Sequence, residues 1–190
     1  MAKVKLNPIV DELRGQLGDL VFREINGQTI LSRKPSLNGN EPSADQAAQR
    51  ERFRQAVAYG RFTMANDDTR ELYDEASNRK GIPAFALTVA DFLNPPSINE
   101  VDLAAYNGQV GGMIKIITTD DFGVVNVQVQ IMDQQGDIIE SGSAFETQAN
   151  TGRWEYTATA AVPAGTAVSI QVTATDRPGG VAVSVNNKSL

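Results

Sequence analysis

Val125-Asn126-Val127-Gln128-Val129-Gln130-Ile131 alternates apolar and polar side chains without a break. A period of two places the valines and the isoleucine on one face of a strand and the amides on the other, so one face is dry and the other wet. Half-wet strands belong to antiparallel sheets rather than to parallel sheets buried on both sides. The pattern recurs at Val168, Ile170, Val172 and Ala174, at Val181, Val183 and Val185, and at Trp154, Tyr156 and Ala158. Ile98–Leu103, Met113–Ile117 and Ile138–Phe145 add further apolar stretches. Turn signals stand between them: Asp120-Asp121, Gln135-Gly136, Pro163-Ala164-Gly165 and Asp176-Arg177-Pro178-Gly179-Gly180. About seven short strands at such spacing predict an antiparallel β-sandwich over residues 96–190.

Upstream of Asn94-Pro95-Pro96 the composition is different. Residues 1–95 hold five valines and nine arginines, and residues 96–190 hold twelve and two. Valine favours strands and arginine suits solvated helix faces. Two prolines in a row stop a helix and stiffen the junction. The segment 42–95 reads as three short helices. Ser43 and Gln46 match a capping box behind Pro42. Phe53, Val57, Gly60 and Met64 recur on one helical face. Asp67 and Asp68 are placed to cap a second helix with Leu72, Tyr73 and Ala76 on its apolar side, and Gly81 ends it. A third helix, from Pro83 to Leu93, carries Phe85, Val89, Phe92 and Leu93. So few large apolar residues make a thin core, and these helices need another surface to pack on.

Residues 1–41 read as an arm with a β-hairpin. Asp19–Ile25 and Gln28–Arg33 flank Asn26-Gly27, the strongest short-range hairpin signal. Gly15 and Gly18 imply a mobile or tightly turned approach to it. A lone hairpin is marginal in water and must dock, either on its own chain or on a neighbour.

Several of these residues carry a resemblance. Asp120-Asp121-Phe122 through Ile131, Gly136, Glu140, Gly142, Trp154-Glu155-Tyr156 and Asp176-Arg177-Pro178-Gly179 resemble bacterial immunoglobulin-like modules. The chain as a whole resembles small uncharacterised bacterial proteins that join a glycine-rich hairpin and helices to such a module. The resemblance implies an α+β chain ending in an immunoglobulin-like sandwich that lacks the usual disulfide. It implies no activity; modules of this kind serve as spacers, binding surfaces or assembly subunits.

Composition narrows the chemistry. The chain has no cysteine and no histidine, which removes thiolate sites, disulfides and the commonest general base and metal ligand. The net charge of −6 lies entirely in residues 96–190, and that repels nucleic acid. No apolar run approaches the roughly 18 residues that span a bilayer. Met1–Pro8 carries lysines but no apolar segment after them, so the expected location is cytoplasmic, with export by a signal-less route or in a particle left open. No phosphate loop surrounds Lys80-Gly81, and no Gly-x-Ser-x-Gly elbow exists. A carboxylate-dependent hydrolase has no constellation to support it. Asn187-Lys188-Ser189 matches the glycosylation pattern by chance.

Three clusters offer candidate sites. Asp120, Asp121, Asp133, Asp137 and Asp176 would bind calcium if they met at one end of the sandwich, although aspartates in turns more often cap local N–H groups. Trp154 and Tyr156 form either a sugar-stacking platform or sandwich core, with core the expected reading. Arg50, Arg54 and Arg61 share a helical face that Asp45 and Glu51 make a solvated one. No catalytic, cofactor or metal site is therefore assigned. The sheet edges are more informative: Leu20, Phe22, Ile25 and Ile30 of the hairpin, and Val181, Val183 and Val185 of the last strand, are candidate assembly residues. The expected role is a non-enzymatic structural or interaction protein, self-assembling by β-augmentation. The alternatives are a carbohydrate- or protein-binding module that uses the sandwich loops, and an accessory or cargo of a phage-like particle. The expected partner is a second copy or another protein.

Overall fold

The computed structural model describes residues 2–3, 14–25, 27–34 and 41–190, in two compact units, Met1–Ala44 and Asp45–Leu190. Asn26 of the hairpin turn and the lysine-bearing start beyond Lys3 lie outside the described residues.

The first unit is a sheet. Its strands are β1 (Ala2–Lys3), β2 (Gly15–Leu17), β3 (Leu20–Ile25) and β4 (Gln28–Arg33), in the order β1-β4-β3-β2. Leu17 pairs with Leu20 around a two-residue turn in which Gly18 takes φ 59°. Ile25 likewise pairs with Gln28 around a turn in which Gly27 takes φ 71°. Both glycines occupy the left-handed region that a side chain resists. The hairpin is as expected, and two further strands extend it. Register sends Leu17, Leu20, Phe22 and Leu31 to one face and Val21, Ile25 and Ile30 to the other. No residue of β2, β3 or β4 is buried.

The second unit begins with α1 (Ala44–Ala65), α2 (Asp67–Lys80) and α3 (Ala84–Leu93). The helix boundaries follow the sequence signals, but the buried faces are shifted. In α1 the buried residues are Ala56, Gly60 and Thr63, while Phe53 is half exposed. A Cβ at Gly60 would lie 2.6 Å from Thr88 Oγ1, so the small residue sets how closely α3 approaches. Asn66, rather than Asp67 or Asp68, caps α2, its side chain accepting from Thr69 N–H; Gly81 closes the helix at φ 67°. In α2 Tyr73 and Ala76 are buried, but Leu72 is exposed. In α3 the buried set is Leu87, Thr88 and Asp91, and Phe85 is exposed. The expected thinness of the helical core is real: Tyr73, Ala76 and Leu87 pack with Phe122 from the loop of the following β region, and Phe122 stacks on Tyr73 with ring centroids 4.0 Å apart.

That β region has eight strands: β5 (Ser97–Asp102), β6 (Met113–Thr119), β7 (Val124–Met132), β8 (Ile138–Ser143), β9 (Phe145–Glu146), β10 (Arg153–Thr157), β11 (Ala167–Asp176) and β12 (Val181–Ser189). They form two antiparallel four-stranded sheets, β5-β6-β10-β9 and β12-β11-β7-β8. The inward faces share one core: Ile114, Ile116, Trp154 and Tyr156 from the first sheet meet Val127, Val129, Ile131, Val168, Ile170, Val172 and Ala174 from the second. The architecture is thus α+β with a sandwich-like pair of sheets. The stretch Ile138–Phe145, read as one strand from sequence, is two. Ala144 donates its N–H to the Val127 carbonyl at 2.7 Å, and beyond it the chain leaves β7 and joins β10 in the other sheet. No helix among the described residues is long and apolar enough to cross a membrane.

Candidate functional site

The aspartates named from sequence separate into two groups. β7 runs from the loop 120–123 to the turn 133–137, so Asp133 and Asp137 stand at the far end of the strand from Asp120. Asp133 there does what turn aspartates do: its Oδ1 accepts from Gln135 and Asp137 N–H, each at 2.9 Å. Asp121 is engaged with the helices, its Oδ2 accepting from Asn94 Nδ2 at 2.6 Å and its carbonyl from Lys80 Nζ. Asp120 and Asp176 do meet, because β11 pairs with β7 so that Asp176 lies opposite Val124.

A third acid joins them from α3. Asp91, Asp120 and Asp176 each offer one carboxylate oxygen, and these lie within 4.8 Å of one another. Asp91 is 0% exposed and Asp176 2%. In each residue one oxygen is held by the protein. Asp91 Oδ2 accepts from the Tyr73 hydroxyl, which is 3.0 Å from the Tyr59 hydroxyl. Asp120 Oδ2 accepts from Phe122 N–H at 2.9 Å and Gly123 N–H at 2.6 Å. Asp176 Oδ1 accepts from Gly180 N–H at 2.5 Å, and Gly180 fits there because a Cβ would run into the other oxygen of Asp176. The other oxygens, Asp91 Oδ1, Asp120 Oδ1 and Asp176 Oδ2, are buried with no hydrogen-bond partner. Among the described residues, no arginine or lysine forms an ion pair with any of the three.

The electrostatic consequence is large. Two full charges at this separation repel by at least about 3 kcal/mol at an effective dielectric of about 20. Burial first, then the charges of Asp120 and Asp176, push Asp91 up to about 7, although the Tyr73 hydrogen bond pulls the other way. Burial also raises Asp176, with its bond from Gly180 opposing and the charge of Asp120 adding. Tyr73 is raised by its own burial and by its bonds to Asp91 and Tyr59, so it stays a donor. A cleft of about 360 Å³, lined by Lys80, Thr118, Asp120 and Glu146 among others, opens beside Asp120.

Another buried carboxylate, Glu140, has the same division: its Oε1 is buried with no hydrogen-bond partner, and its other oxygen is heavily engaged. Glu140 Oε2, from β8, accepts from Thr159 N–H at 2.8 Å, Thr159 Oγ1 at 2.7 Å and Ala160 N–H at 2.9 Å. Three donors on one oxygen tie the 158–160 turn to the sheet.

The remaining candidates resolve simply. Trp154 and Tyr156 are 7% and 5% exposed, and Trp154 Nε1 donates to Thr118 Oγ1 at 3.1 Å; both are core, not a platform. Arg54 pairs with Glu51 on the outside of α1. Val181, Val183 and Val185 project from β12, the edge of its sheet, 52–57% exposed. Leu20 and Phe22 share a face of the N-terminal sheet, while Ile25 and Ile30 share the opposite one. Asp91 escaped the sequence reading, yet a signal was there. It is the one charged residue in Ala84–Leu93, four positions after Leu87 and three after Thr88, on the face that α3 buries.

No family model and no curated relative matches the chain. Among solved structures, the crystal structure of CopC from Methylosinus trichosporium OB3b is similar to it over 48% of this chain and 89% of that one, at 12% identity and a TM-score of 0.37.

Proposed function

We propose that this chain is a non-enzymatic assembly subunit whose N-terminal sheet and open sandwich edges join it to a second copy of itself by β-augmentation. One observation carries the reading: the N-terminal unit is a four-stranded sheet in which no residue of β2, β3 or β4 is buried. Leu17 is 71% exposed and Ile25 51%. A sheet needs an apolar face covered to be stable, and this one has apolar side chains on both faces. The matching surface is the row of three valines on edge strand β12, which carries no charge before Lys188. Natural edge strands are commonly blunted by charge or proline, and the valine row has neither.

The sandwich itself is read as immunoglobulin-like. Lettered in chain order, with β8 as C′, its sheets run A-B-E-D and C′-C-F-G, the strand order of that class. Such modules assemble through their faces and edges. The burial of Trp154 and Tyr156 gives the carbohydrate-binding alternative no aromatic platform. An accessory of a larger particle would use the same surfaces on a different partner.

Light scattering after size exclusion, with negative-stain microscopy of the same sample, tests the reading. Discrete oligomers, rings or filaments are expected, and deleting residues 1–36 should return the chain to a monomer. A full-length chain that stays monodisperse near 20.4 kDa at high concentration would sink it.

A further inference from the structure

We infer that Asp91, Asp120 and Asp176 form a binding site for one oxygen-preferring divalent cation of the calcium type, which clips helix α3 to the end of the sandwich. The cluster of acids is the first observation, and a second, independent one points to a ligand. Two of the three side chains are more than nine-tenths buried, and all three keep a buried oxygen with no hydrogen-bond partner. Buried polar atoms normally find partners; of the five without one among the described residues, Tyr106 and Glu140 hold one each and this cluster holds three, a concentration that calls for an occupant.

The donor set fits such an ion. All three donors are carboxylate oxygens, with no sulfur and no imidazole, which selects hard cations over transition metals. Oxygens within 4.8 Å of one another can all lie about 2.3–2.6 Å from one central ion. The partnered oxygens are fixed by Tyr73, by the Phe122 and Gly123 amides and by the Gly180 amide. Those bonds hold each carboxylate in one orientation, as the outer hydrogen bonds of metal ligands do. The groups that bond to the three carboxylates are hydroxyl and amide donors, and among the described residues the nearby Arg79, Lys80 and Arg177 form no ion pair with them. Asp120 also lines the neighbouring cleft, although Asp91 and Asp176 do not and the three orphan oxygens are buried from it.

The ligands come from α3, the loop after β6 and the end of β11. Binding therefore crosslinks the helical layer to both sheets, adding to the apolar cluster of Tyr73, Ala76, Leu87 and Phe122 and to the bonds from Asn94 and Lys80 to Asp121. The site does not depend on self-assembly; either reading can fail while the other stands.

The test uses the full-length chain, freed of metal with a chelator and then titrated with Ca²⁺, Mg²⁺ or Mn²⁺ by calorimetry, with thermal unfolding followed in parallel. One ion per chain and a rise in melting temperature are expected for at least one of the three. Asp91→Asn and, separately, Asp120→Asn should weaken binding at least tenfold. Thermal unfolding of the metal-free variants beside metal-free wild type checks that each variant still folds. Terbium luminescence sensitised by Tyr73 gives a readout that needs no variant. Absence of saturable binding for all three ions, or binding that both variants retain, would overturn the inference.

Discussion

The N-terminal sheet and the C-terminal sandwich are built from the same kind of strand and differ in what they bury. In the sandwich, ten-residue β11 alternates buried and half-buried positions along its whole length. In the N-terminal sheet, β3 and β4 carry comparable apolar residues, yet none is buried. Alternation makes strands; only a second layer makes a core. The sandwich supplies its own second layer, and the N-terminal sheet has none among the described residues of its unit. Buried acids follow the same division. The second unit buries Asp91, Glu140 and Asp176, whereas the acid of the N-terminal sheet that pairs, Glu24, does so with Arg14 in the open.

The largest effect that sharpens the contrast comes from placing a charge on each side of it. Ile170→Asp puts an unpaired carboxylate in a site that is 0% exposed, and it should cost more than about 4 kcal/mol, enough to abolish the cooperative transition. Leu31→Asp in the N-terminal sheet should barely move the urea midpoint read by Trp154, the chain's single tryptophan, while lowering the association state. An equal fall in the Trp154 midpoint for both variants would break the comparison.

A pH series comes next. Asp91 is held up to about 7 against 3.8 for a free aspartate, by burial first and by Asp120 and Asp176 after it. Between those values the folded chain keeps a proton that the unfolded chain has released. Stability from this group is therefore full below about pH 4 and lost as pH rises through about 7. In the presence of a chelator the chain should be less stable at pH 8 than at pH 5, by roughly 2 to 3 kcal/mol from this group at about 1.4 kcal/mol per unit over the two units between pH 5 and 7. Asp176, also raised, acts in the same direction. Asp91→Asn should flatten the slope; a wild-type chain more stable at pH 8 without metal would contradict the burial argument.

The strands, the hairpin and the helix ends were legible in the sequence because each is a local pattern: period two, Asn-Gly, Gly81 after a run of helix formers. What the helices bury was not. Phe53 and Phe85 look like core, but the helices meet through Ala56, Gly60, Thr63 and Thr88, where small residues permit close approach and large ones would block it. The break at Ala144 was hidden as well, since a strand that changes sheets keeps its alternation while changing its partner. The acid cluster was half legible. Asp120 and Asp176 sit in recognisable turns, but turn chemistry alone makes them resemble Asp133, and the third member lies on a helix. Only the pairing of β11 with β7 and the seating of α3 bring the three together.

The smallest effects compare two single carboxylates, one from each region. Glu140→Gln keeps the shape of a side chain whose Oε2 takes three donors, but it removes the charge those donors were arranged around. Charge-assisted bonds of this kind contribute about 1.5–3 kcal/mol each against roughly 1 for neutral ones, so a loss of about 1–3 kcal/mol is expected in the Trp154 transition. Glu24→Gln removes a 2.6 Å ion pair with Arg14 whose side chains are 34% and 64% exposed. Solvent screens that pair and the arginine pays rotamer entropy to hold it, so the change should stay below about 1 kcal/mol and shrink further in salt. If Glu24→Gln proved as costly as Glu140→Gln, the Arg14–Glu24 pair would have to be sheltered in the protein as it exists in solution. The simplest shelter would be a second layer over the N-terminal sheet, so the smallest prediction also reports on whether that sheet is covered.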